Sequence, residues 1–203
     1  MEKNNKQKSN QWIILILFII TGALCGYFGI TMMDDLIAKT HGQFYMIVLA
    51  LISVIVLMYL VIMIQIIIHE AGHLIFGLIS GYTFSSFRIG SVMFTKINGK
   101  IVRKRFSLKG TGGQCLMAPP EKSVSDIPCV LYNMGGSIAN IIAAIICSAL
   151  YLPLKNIPFL SLFLIYNVII GIVFAAANGI PMHLAAADND GYNAVSAIKN
   201  ESV

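Results

Sequence analysis

The sequence predicts a mainly α membrane protein, with about four transmembrane helices and a small membrane-associated β-hairpin or sheet between helices two and three. Scarcity of charge is the first reason. Only 11% of the 203 residues are Asp, Glu, Lys or Arg, 57% are hydrophobic, and the mean hydropathy is +0.80. A soluble domain carries roughly 25% charged residues, and a disordered chain is poorer still in apolar ones. The second reason is the length of the charge-free stretches, and the third is a change of pattern over residues 82–117.

The first stretch runs from Ser9 to Met33 and predicts a helix near 12–32. Its lysine-rich start resembles a secretory signal, but no small-x-small cleavage site follows. Leu24 also stands before Cys25, where a lipoprotein signal needs a small residue. The segment is therefore expected to be retained. Gly22 and Gly26, at GxxxG spacing, are expected to pack against a neighbour. The second stretch runs from Thr40 to Ile68 and continues past Glu70 to Phe87, predicting a helix near 44–80. At ~1.5 Å per residue it far exceeds a ~30 Å hydrocarbon core, so it must tilt, bend or project. Ile127 to Leu154 and Asn156 to Ala187 predict helices near 130–151 and 159–180. Pro181 ends or kinks the last of these. The chain thus divides into residues 1–43, a tail with the first helix, and residues 44–203, which hold the other elements and a C-terminal helix.

Twelve of the fourteen Lys and Arg residues lie before the first span, between spans two and three, or after span four. The opposite loops hold only Lys39 and Lys155. This bias predicts that both termini and the middle loop are cytoplasmic. The net charge of +5 then reports topology and contact with anionic lipid, not nucleic acid. The four cysteines show no CxxC spacing and read as packing residues.

Within the middle loop, Phe84, Phe87, Ile89, Val92 and Phe94 alternate with small or polar residues. Asn98-Gly99 then separates two strand-like runs. That pair favours a type I′ turn, so at least one hairpin is expected at the membrane surface. It would serve as a lid or spacer, or as an edge to which an extended peptide pairs.

The chemistry centres on His69-Glu70-Ala71-Gly72-His73. Histidines at i and i+4 share one helix face and can hold a single zinc ion. The Glu between them is placed to take a proton from water. Zinc lowers the pKa of bound water toward ~7. A carboxylate inside an apolar helix is costly, which argues against a merely structural Glu70. A catalytic zinc usually takes three protein ligands. Of the five acids downstream, Glu121, Asp126 and Glu201 sit in a loop or the tail. Asp188 and Asp190, after span four, are the better candidates, and His183 is a further one. Asn140 and Asn178 are polar residues within spans three and four. They could hold a substrate carbonyl or an oxyanion, or could bond one helix to another.

Taken together, these motifs resemble the site-2 protease family of intramembrane zinc metalloproteases. The family's HExxH matches His69 to His73. Its glycine-rich motif ending in Asn resembles Gly135-Gly136-Ser137-Ile138-Ala139-Asn140. Its Asn-x-x-Pro followed by Asp-Gly resembles Asn178-Gly179-Ile180-Pro181 and Asp190-Gly191. The resemblance spans roughly residues 60–192, and the interval from Pro181 to Asp190 is longer than is usual in the family. It implies zinc on His69, His73 and Asp190, Glu70 as base, and Asn140 and Asn178 positioning substrate. It also implies cleavage in or next to the membrane span of a single-span protein or a peptide precursor. The chain would be a minimal member, without a PDZ or CBS domain. A membrane scaffold that keeps the metal site without proteolysis is the alternative.

Overall fold

A computed structural model of the chain describes residues 2–39, 43–107, 112–121, 129–184 and 188–200. Asp126 and Glu201, weighed above as ligands, lie outside these residues. The elements in order are α1 (Glu2–Lys39), α2 (Phe44–Ile79), β1 (Thr83–Ile89), β2 (Val92–Ile97), β3 (Lys100–Arg105), β4 (Gly113–Ala118), α3 (Cys129–Leu154), α4 (Pro158–Gly179) and α5 (Asp190–Asn200). Four helices are long and apolar enough to cross a membrane, with Trp12–Asp34 as the qualifying part of α1. The chain is an integral membrane protein.

The helices start and stop for local reasons. Pro158 occupies the first turn of α4, where its missing N–H costs nothing. Gly81, with φ +84°, turns the chain out of α2, and the Tyr82 N–H bonds the Gly77 carbonyl at 2.9 Å. With 36 residues, α2 is ~54 Å long. Its apolar sides face outward, as lipid requires, and its buried residues concentrate from Gln65 to Gly77.

Between α2 and α3 the chain forms one antiparallel sheet in the order β3-β2-β1-β4. The expected turn joins β2 to β3, with Asn98 and Gly99 at φ 49° and 79° and Ile97 paired with Lys100. β4 returns to pair with β1, placing Cys115 opposite Phe87. β4 and β1, not the β2–β3 hairpin, are the strands that pack against α2.

A cluster of Cys25, Val61, Leu162, Tyr166 and Ile170 packs α1, α2 and α4 together, and the Tyr166 hydroxyl donates to the Cys25 carbonyl at 2.8 Å. The GxxxG expectation is corrected here: a Cβ on Gly22 or Gly26 would meet nothing within 4 Å. Gly29 makes the close approach instead, against Val54 and the Tyr166 hydroxyl. One further turn of α1 carries the small residue onto the packed face.

Candidate metal centre

His69 and His73 lie on the buried face of α2, and Asp190 opens α5. The Asp190 Oδ2 is 3.0 Å from the His69 Nε2 and 3.2 Å from the His73 Nε2. The two Nε2 atoms are 3.2 Å apart. Ligands ~2.0–2.1 Å from a tetrahedral zinc stand about 3.3 Å from one another, so the triangle has the right size.

Hydrogen bonding tests the fit independently. The His69 Nδ1 faces the Asn140 Oδ1 at 2.8 Å, and the His73 Nδ1 faces the Tyr132 carbonyl at 2.9 Å. Both oxygens can only accept, so each Nδ1 carries the ring hydrogen. Neutral rings then direct two Nε2 lone pairs at a carboxylate oxygen, and no donor stands among them. Doubly protonated rings would instead put two cations 3.2 Å apart. One divalent cation satisfies all three atoms. The donor set of two imidazoles and a carboxylate also suits zinc.

Asp190 reaches this depth through Asn189. Its Oδ1 accepts the N–H of Tyr192 at 3.0 Å and that of Met182 at 2.9 Å. Its Nδ2 donates to the carbonyls of Ala177 and Ile180. One amide thus caps the start of α5 and ties it to the end of α4.

A cavity of about 490 Å³ opens over the three ligand atoms, with Glu70, Gly113, Tyr132 and Asn178 in its wall. The Glu70 side chain stands against β4. A Cβ on Gly113 would stand 2.6 Å from the Glu70 carboxylate, so only glycine lets β4 lie against the base. Tyr132 donates its hydroxyl to the Cys115 carbonyl at 3.0 Å and stacks on Tyr82. It thereby links β4 to the helix that supports His73.

The structure brings His69, His73, Glu70, Asp190 and Asn178 to one cavity. Asn178 spends one amide hydrogen on the Phe174 carbonyl. Asn140 departs from the expected substrate contact. It is fully buried, with Oδ1 on His69 and Nδ2 on the Gln65 carbonyl and side chain. Asp188 lines the cavity but pairs with His183 at 2.5 Å, outside the convergent triangle. Sequence reasoning passed over Gln65, Asn167, Tyr132 and Asn189. For Gln65 and Asn167 the signal was available: each is an uncharged polar residue inside an apolar helix.

An HExxH helix set among membrane spans, with an Asp from a later segment closing on its two histidines, is the architecture of a membrane metallopeptidase. The sequence model of peptidase family M50 matches residues 57–200, from the middle of α2 through α5. The chain belongs to that family, the site-2 protease family, whose members are zinc-dependent in general. No curated protein gives a significant match, and no solved structure does.

Proposed function

We propose that the chain is an intramembrane zinc protease that cuts peptide bonds in or next to the span of a single-span protein or a signal-peptide-like precursor. The observation that carries this reading is the donorless triangle of His69, His73 and Asp190 with Glu70 in the same cavity wall. Zinc held there would supply Lewis-acid activation of water and of the scissile carbonyl.

Glu70 takes the proton of the attacking water and passes it to the leaving amine. Asn178, also in the cavity wall, offers its amide to the substrate main chain. His73 lies six residues from the end of α2, ~9 Å along the axis, so the cut falls near one membrane face. The Lys and Arg bias makes that face cytoplasmic. A helical substrate shelters its own amides and must unwind first. β4, an extended strand lining the cavity from Gly113 to Leu116, suits an extended chain alongside it.

The test is purification of the full chain, measurement of bound zinc, and cleavage of a model membrane peptide by wild type and Glu70→Gln. Zinc retained in both with cleavage lost in the variant is expected. Equal cleavage removes Glu70 as the base.

A further inference from the structure

We propose that three buried amides, Gln65, Asn140 and Asn167, form a directed chain that sets the tautomer of His69 and keeps its Nε2 open for the metal. The inference deepens the metal-site reading above and rests on it.

The three side chains come from α2, α3 and α4, and all are essentially inaccessible. Asn167 donates its Nδ2 to the Phe163 carbonyl at 2.8 Å, so its Oδ1 is left as the acceptor. Gln65 donates its Nε2 to that Oδ1 at 3.0 Å and to the Asn167 backbone carbonyl at 3.3 Å. The Gln65 Oε1 must then accept, which it does from the Asn140 Nδ2 at 2.7 Å. The same Nδ2 reaches the Gln65 backbone carbonyl at 3.0 Å. Asn140 is left with its Oδ1 toward His69, and the ring must place its hydrogen on Nδ1.

The sense of the chain is fixed because each amide also donates to a backbone carbonyl, which cannot donate in return. Reversing Asn140 alone would press its oxygen against two acceptors of Gln65. Its NH₂ would face the His69 Nδ1 and drive the ring hydrogen to Nε2, where it blocks the metal. No bulk water competes at this depth to repair a reversed link. A Cβ on Gly171 would crowd the Gln65 amide at 3.2 Å, so α4 leaves the space this side chain needs. Gln65 and Asn167 therefore act as positioning residues, through Asn140, on a ligand to which neither side chain is bonded.

The experiment uses the full chain in nanodiscs, with zinc affinity read by chelator competition and the His69 tautomer read from imidazole ¹⁵N signals. Gln65→Met keeps volume and removes the polar link. Asn167→Leu breaks the chain one step further out, and Val61→Ala loosens the same helix without removing an amide. Gln65→Met is expected to weaken zinc binding about 10–100-fold and to mix the His69 tautomers. Asn167→Leu should do so to a smaller extent, and Val61→Ala should change neither reading. Wild-type affinity and tautomer in both amide variants would overturn the inference, as would an equal loss in Val61→Ala. A wild-type chain that takes up no zinc overturns the metal-site reading, and the nitrogen signals then still decide the amide chain.

Discussion

Gly72 on α2 and Gly135 on α3 touch backbone to backbone: a Cβ on Gly72 would stand 2.3 Å from the Gly135 carbonyl oxygen. Small residues at a membrane helix crossing allow this approach, and here the crossing lies between His69 and His73. Gly72→Ala should cost about 1–3 kcal/mol through overpacking and shift the histidine pair from α3. Thermal unfolding in detergent, with zinc content measured on the same sample, should show both losses together.

The two aspartates near the end of α4 should separate cleanly. Asp190 is one corner of the ligand triangle, whereas Asp188 is paired with His183. Asp190→Ala should cost more zinc affinity than the ~10–100-fold expected of an outer hydrogen-bond partner. Asp188→Ala should stay within a few-fold of wild type. Chelator competition gives both numbers, and the reverse ranking would assign the third ligand to Asp188.

Gly113 should behave as a residue of the base, not of the metal. A methyl group there meets the Glu70 carboxylate and must displace it. A misplacement of ~1 Å costs about 100-fold in rate. Gly113→Ala should therefore lower kcat on a model peptide by about that factor while leaving zinc binding unchanged.

Cys115 should resist alkylation. Burial, and after it the charge of Glu70, pushes its thiol up to about 12. A raised thiol pKa means that the neutral form persists across the ordinary range, and the thiolate is the reactive species. Maleimide at pH 7.5 should leave Cys115 unlabelled until the chain is unfolded. Rapid labelling of the native protein would show that β4 opens away from α2.

Membrane orientation can be read at the β2–β3 turn. Lys100 is exposed there, and the orientation proposed from the positive-inside bias would put it in the cytoplasm. In a cysteine-depleted background, Lys100→Cys should react with an impermeant maleimide only after the membrane is opened. Reaction in intact cells would invert the topology.

What could be read in advance followed strong physics. Lipid forces long uncharged helices, so α2, α3 and α4 end within a few residues of their expected limits. The Asn98-Gly99 pair requires positive φ angles, and the turn forms where that pair stands. The His69-Glu70-His73 spacing expresses helical geometry and needs no tertiary knowledge. The fate of Asn140 was not legible, because an amide in an apolar helix suits a substrate or a neighbouring helix equally well. Only the position of Gln65 one turn before His69 decides it. The nearness of β4 to Glu70 was equally hidden, since it depends on a glycine whose significance lies in what it lets approach.

The backbone N–H of Asn189 also bonds the Met182 carbonyl at 3.3 Å, completing a clasp with the Met182 N–H bond to its side chain. The path from Met182 to Asn189 is thereby short-circuited. Where the carboxylate of Asp190 sits is set by the clasp, not by the number of residues strung between its ends. That makes the long interval after Pro181 mechanically neutral: the number of residues between Met182 and Asn189 can change while the ligand keeps its address.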